Sequence, residues 1–248
     1  MRIGGPVHTG LAIAGMAFVG LALPGPGRAQ DIPVDLEVVL AVDSSSSVNA
    51  EEFNLQLQGY ADAFLNPAVI KSIRNGDHGA IAATLVIWAG DGGVRQIAEW
   101  MLIDDLESAA RFAKEFRKTP RYMLMDGTSI STAIIESVSL FNDNGFAGVR
   151  RVIDISGDGT NNVGRPVPIA RDAAIEAGIT INGLTILNEF PELDTYFSRF
   201  VVGGPGAFIV TADSFSTFSA AILNKLTREI AGETRPGGTM FADARGGF

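Results

Sequence analysis

Asp43-Ser44-Ser45-Ser46-Ser47 sets a carboxylate and two hydroxyls at alternate positions, Asp43-x-Ser45-x-Ser47. Oxygens of these kinds are hard ligands, suited to Mg²⁺, Mn²⁺ or Ca²⁺ and poorly suited to soft metals. The stretch follows an apolar run at residues 36–42, interrupted only by Glu37, and precedes a helical pattern that starts near Ala50. It therefore lies where a buried strand gives way to a helix. In open α/β sheets, ligands bind in the crevice outside the carboxyl ends of the strands. The plainer role is a serine-rich connection in which Asp43 or Ser47 caps the next helix.

Two later stretches repeat the chemistry. Asp126-Gly127-Thr128-Ser129 opens a helix, and Gly157-Asp158-Gly159 follows an apolar strand at residues 152–156. Each has a plain role too: Thr128 or Ser129 as a helix cap, Asp158-Gly159 as a turn pair. Placing all three at one end of one sheet requires the first strand and the 152–156 strand to be neighbours. Right-handed crossovers permit that at a topological switch point.

The elements that must do this positioning are legible in the periodicity. Strands are expected at residues 36–42, 80–89, 94–101, 152–156, 179–187 and 207–210. Helices are expected from Ala50 to Asn66, with one more turn through Val69, Ile70 and Ile73, then from Asp104 or Asp105 to Arg117. The second of these should pack on Leu106, Ala109, Ala110, Ala113 and Phe116. Further helices should carry Ile130, Ile134, Val138 and Phe141, span residues 166–177 and 191–200, and end with Phe218, Ile222, Leu226 and Ile230 on one face, capped by Asp213. Gly90-Asp91-Gly92-Gly93 is a tight-turn signal that folds its flanking strands into a hairpin. Strand and helix alternate otherwise. The expected fold is α/β, a doubly wound Rossmann-like sheet, mostly parallel, with one antiparallel edge strand and helices on both faces.

Composition narrows the function classes. The chain has 248 residues, 46% of them hydrophobic, enough for one sizeable core. Residues 1–29 read as a secretory signal peptide: Arg2 near the start, a 13-residue apolar run at 11–23, a Pro-Gly break, and Gly27-Arg28-Ala29 before a cut after Ala29. That run is too short for a membrane span, which needs about 20 residues. The domain is then expected over residues 30–232, with a flexible C-terminal tail at 233–248 and a periplasmic or secreted location. There is no cysteine, which excludes disulfides, thiolate metal sites and a lipoprotein anchor. His78, in a turn, is the one histidine outside the leader, and no Gly-x-Ser-x-Gly elbow accompanies it. The leader holds two arginines and no acids, so its removal takes the formal charge from −9 to −11. A surface this acidic disfavours nucleic acid and anionic membranes as partners.

Asp43-x-Ser45-x-Ser47, Gly127-Thr128 and Asp158-Gly159 together resemble the von Willebrand factor type A domain and its metal-ion-dependent adhesion site. The likeness covers residues 35–231 in element order as well as motif. It also extends to a group of uncharacterised exported bacterial proteins that carry such a domain. The resemblance implies a sheet order of 3-2-1-4-5-6 with strand 3 antiparallel. It implies metal contacts from Asp43, Ser45, Ser47, Thr128 and Asp158, the serines directly and the acids directly or through water. Neutral hydroxyls leave a Mg²⁺ ion (or Mn²⁺ or Ca²⁺) poorly neutralised, so the ion favours an acidic side chain from a partner protein. Asp126 is a departure that adds charge near the threonine loop. Asp154 is another, inside an expected buried strand, where it pairs with Arg150 or Arg151 or lies near the site.

Three functions are weighed. The favoured one is an exported, monomeric binding module, not an enzyme, that captures a protein through a divalent metal. The alternative is a metal-dependent hydrolase such as a phosphoesterase, using Asp43 or a metal-bound water. Nucleotide binding finds no support, because neither Gly-x-Gly-x-x-Gly nor Gly-Lys-Ser/Thr follows the first strand.

Overall fold

The computed structural model describes Met1, residues 30–121 and residues 126–232. The expected leader (beyond Met1) and tail lie outside the described residues. The chain divides into two units, Met1–Gln30 and Asp31–Phe248, and every strand and helix among the described residues falls in the second.

β1 (Ile32–Asp43) is the centre of the sheet. Its residues are buried almost without interruption from Val34 onward, because helices cover both of its faces. Leu36, Val38, Leu40 and Val42 face one core, Val39 and Ala41 the other. β1 pairs in parallel with β2 (Ile81–Trp88) on one side and β4 (Phe146–Gly157) on the other. β3 (Val94–Ile103) returns antiparallel to β2, while β5 (Thr180–Ile186) and β6 (Ile209–Ala212) continue the parallel run. The order is β3-β2-β1-β4-β5-β6, and it reverses between β1 and β4. The expected fold class is therefore the observed one.

On one face pack α1 (Ala50–Phe64), α2 (Pro67–Arg74), α3 (Leu106–Lys118) and α7 (Phe218–Ala231). Their joint is aromatic: Tyr60 stacks on Phe116 at 5.5 Å and Phe64 meets Phe112 edge-on at 5.0 Å. Each such ring contributes about 1.5–3 kcal/mol by leaving water. The opposite face carries α4 (Ile130–Ser139), α5 (Val167–Glu176) and α6 (Leu193–Tyr196), with Ile130, Ile134, Val167 and Leu193 against Ile153 and Ile155.

Several elements differ from expectation. β4 starts six residues before the expected 152 because its first half pairs only with β1, and half-exposed strand lacks an unbroken apolar run. β1 lengthens at its start to match it, with Ile32 opposite Phe146. α3 buries Phe112, while Leu106, at its first turn, stays exposed. Asp213 does not cap the last helix. A short 3₁₀ turn, Phe215–Thr217, intervenes, and Ser214 and Thr217 cap it reciprocally. α6 runs on into a π-helical turn, Phe197–Val201.

Candidate metal site

The oxygen-rich loops meet where the strand order reverses. β1 delivers Asp43 as its last residue, fully buried. The loop then turns on that side chain: Asp43 Oδ1 accepts the Ser45 backbone N–H at 2.8 Å. The Ser44 N–H continues the ladder to the Trp88 carbonyl at 2.8 Å. α1 fixes the far end. Asn49 caps it by accepting from the N–H groups of Glu51 and Glu52, and Glu52 accepts from the Asn49 N–H in return. Asn49, and neither Asp43 nor Ser47, is thus the helix cap. Those two side chains are left for something else.

The two serine hydroxyls lie 3.1 Å apart, and the Ser47 hydroxyl donates to Asp158 Oδ1 at 2.9 Å. Asp158 follows directly on the end of β4. Thr128, also buried, is tethered to the same loop. Its N–H donates to Asn162 Oδ1 at 2.8 Å, and its carbonyl accepts the Asn162 N–H at 2.9 Å. A Cβ added at Gly159 would sit 4.0 Å from the Thr128 hydroxyl oxygen, so Thr128 stands beside the residue after Asp158. Ser129 caps α4 and donates its N–H to the Ala89 carbonyl at 2.7 Å, fixing the loop to the end of β2. Asp43, Ser45, Ser47, Thr128 and Asp158 are accordingly gathered at one end of the sheet.

Asp43 Oδ2 and Asp158 Oδ2 are buried, and neither has a hydrogen-bond partner. Burial pushes the Asp43 carboxyl up to about 7, and the Asp158 charge adds to the rise. Burial likewise raises Asp158 to about 6, with the Ser47 hydrogen bond opposing and the Glu189 and Glu52 charges assisting. Unpartnered carboxylate oxygens in so dry a place are costly to ionise unless a cation lies between them. Two carboxylates and three hydroxyls match a hard divalent cation. Among the described residues no group of three His, Cys, Asp or Glu side chains could hold a metal, so any site here depends on the hydroxyls.

Asp126 is exposed, two residues before Thr128. Asp154 does not pair with Arg150 or Arg151 and is not part of the oxygen cluster. It lies 2.6 Å from the Lys225 ammonium of α7, which also approaches Glu229 at 3.4 Å. His78 is an exposed turn residue whose N–H donates to Asp35. Trp100 packs on Phe141 beside the hairpin and donates to the Leu140 carbonyl. Trp88, in contrast, lies under the site: a Cβ at Gly157 would meet both Asp43 Oδ2 and the Trp88 ring. Sequence reasoning missed Gln56, which donates to the Asp43 carbonyl at 3.2 Å, and Asn162. A glutamine between Phe53 and Leu57 on a helix's apolar face was the available signal for the first. The polar run after Asp158 was the signal for the second.

Sheet order, helices on both faces and this loop cluster define a von Willebrand factor type A fold. The chain belongs to the family described as Protein of unknown function (DUF1194), whose model matches residues 33–234. Solved structures with the same fold include proximal thread matrix protein 1 from the mussel byssus "with zinc occupied MIDAS motif", at 18% identity and TM-score 0.62, covering 82% of this chain and 50% of that one. An aerotolerance-related membrane protein from Bacteroides fragilis matches at 20% identity and TM-score 0.53, over 80% of this chain and 100% of that one. A von Willebrand factor type A protein from Catenulispora acidiphila matches at 16% and 0.53, over 80% and 43%. The chain thus spans about half the length of the mussel protein. No curated protein matches its sequence. Among the described residues no helix is long and apolar enough to cross a membrane.

Proposed function

We propose that this protein is an exported binding module that captures a partner protein through a divalent metal held by Asp43, Ser45, Ser47, Thr128 and Asp158. One observation carries the reading: two buried carboxylates, each with an unpartnered oxygen, converge with three hydroxyls at the sheet's switch point. Mg²⁺, Mn²⁺ or Ca²⁺ fits this all-oxygen set. When bound, the ion would supply a Lewis-acidic centre whose charge Asp43 and Asp158 formally balance but whose oxygen coordination the five side chains leave incomplete. An acidic side chain from the partner would complete that coordination. Leader cleavage after Ala29 would deliver the domain, as a monomer, to the periplasm or beyond.

The hydrolase alternative has Asp43 in its favour, since a carboxyl near 7 is in range for a general base. Against it, burial is the main cause of that rise, and a cation at the site would reverse it. Phosphoester turnover in Mg²⁺, lost in Asp43→Ala, would favour the hydrolase.

The test of the binding function is capture from envelope extract on immobilised protein. Retention in Mg²⁺ is expected to fall away in a chelator and with Asp43→Ala. Equal retention under all three conditions would overturn it.

A further inference from the structure

At the other end of the sheet, β4 overruns its neighbour. β5 begins with Thr180 opposite Val152, so β4 from Phe146 to Arg151 is paired with β1 alone. The notch beside it is a cavity of ≈ 410 Å³, closed by the loop before β6 and the last turn of α7. That volume lies in the usual range for small-molecule sites. Arg150, Arg151 and Arg228 all line it.

Each of the three guanidinium groups is held by a neutral partner. Arg150 donates to the carbonyls of Glu229 at 2.9 Å and Ile230 at 3.1 Å. Arg151 donates to the Ala177 carbonyl. The Arg228 guanidinium lies over the Phe208 ring, its Cζ 3.9 Å from the ring centre. Among the described residues no carboxylate lies within ion-pair distance of any of them, whereas Arg111, Arg117 and Arg171 each hold one. Glu229 also lines the cavity, but its carboxylate is committed to Lys225 and to the Asn182 amide at 2.7 Å. Capping of helix ends accounts for Arg150 and Arg151 individually. It does not account for Arg228, nor for three guanidinium groups without an ion-pair partner around one cavity in a chain of net charge −9, although the Glu229 and Asp35 charges reach Arg150.

We propose that this cavity is a second binding site, independent of the metal, for a small organic oxyanion bearing a carboxylate or phosphate. A guanidinium presents five N–H donors, so donors remain after the carbonyl contacts are made. Charge-assisted, bidentate pairing with an oxyanion is what such preorganised forks favour. Val149 and Phe208 provide apolar wall for the rest of the molecule.

The test uses the full chain, stripped of metal on a chelating resin so that no anion is recruited by an ion at the other end. Inorganic phosphate and succinate are titrated separately, against chloride at equal ionic strength, while backbone amide resonances are followed. Saturable shifts of the Gly178, Gly206 and Phe208 amides at millimolar concentrations are expected with at least one probe, and the tighter probe identifies the anion class. Arg228→Gln and Arg151→Gln should each weaken the binding about tenfold or more. Should either variant fail to fold, the map on the unaltered chain still decides. Shifts centred on residues 43–47 and 158, no saturable shift with either probe, or unchanged affinity in both folded variants would overturn the proposal.

Discussion

The Ser47 hydroxyl donates to Asp158 Oδ1 at 2.9 Å, joining loops 111 positions apart in the chain. The bond spans the switch point, because Ser47 follows β1 and Asp158 follows β4. It satisfies one oxygen of Asp158 and leaves Oδ2 unpartnered. Asp43 repeats the arrangement, with Oδ1 on the Ser45 N–H and Oδ2 unpartnered. Each acid is thus oriented by a hydrogen bond at Oδ1 and left electrostatically unsatisfied at Oδ2, a combination that favours a cation.

From this follows an unequal division of labour. Charge-assisted contacts are roughly twice as strong as neutral ones, so losing a carboxylate should matter more than losing a hydroxyl. Asp43→Ala should nearly abolish Mg²⁺ binding, and Ser47→Ala should weaken it in a way that excess Mg²⁺ overcomes. Ser46 is exposed and serves as the control; Ser44 is buried, so Ser44→Ala reports packing as well. Calorimetric titration of the four variants reads this directly. Unchanged affinity in Asp43→Ala would end the metal hypothesis.

The oxygen cluster was legible because strand ends can be read from apolar runs, and the acids and hydroxyls sit just beyond them. Its supports were not. Gln56 stands out on a helix's apolar face and Asn162 lies in a polar loop, but neither position names its partner; only the tertiary fold brings them to Asp43 and Thr128. The first half of β4 was hidden for a different reason. Paired on one edge only, it has no need of a continuous apolar sequence. The partner of Asp154 was hidden by distance along the chain: Lys225 reads as part of a solvated helix face until α7 is laid over β4 and β5.

Metal affinity should depend on pH. Burial raises Asp43 to about 7 and Asp158 to about 6, both above the ordinary carboxylate value of 3.8. The folded, metal-free chain therefore holds protons that the unfolded chain releases. Its stability should fall as pH rises from about 4 to about 7 and level off above. Protons compete with metal over the upper part of the same window, so Mg²⁺ affinity should rise through it. Calorimetry at about pH 5 and about pH 8, with urea unfolding of the stripped protein alongside, checks both signs. Equal affinity at the two pH values would contradict the assignment of these carboxyls to the metal.

Gly157 should tolerate no side chain. A Cβ there would lie 2.9 Å from Asp43 Oδ2 and 3.3 Å from the Trp88 ring, and the ring cannot yield inside a packed core. Gly157→Ala should cost about 1–3 kcal/mol as overpacking and displace the Asp43 carboxylate. Loss of Mg²⁺ affinity together with a changed Trp88 emission is the expected pair of readouts. A fully stable variant with unaltered affinity would show that the site does not depend on this close approach.

Lys225 is fully buried between two carboxylates, Asp154 at 2.6 Å and Glu229 at 3.4 Å. Burial drives the Asp154 pKa upward and the ammonium opposes that rise. Lys225→Met keeps the length of the side chain and removes the charge, leaving both acids without their cation. Breaking a buried pair in this way typically costs about 3–5 kcal/mol. The Asp154 carboxyl, already raised by burial, should then rise further and take up a proton. Its folded-state pKa would stand above the unfolded one, so the variant should be most stable in acid and lose stability as pH rises. Adding Asp154→Leu removes one of the two stranded charges and should restore part of the loss, while the Asn182 hydrogen bond continues to hold Glu229. Urea midpoints at about pH 5 and about pH 8 for the single and double variants test this ordering. A Lys225→Met variant as stable as the parent at the higher pH would mean that the triad contributes no net charge stabilisation to the packing of α7 on the sheet.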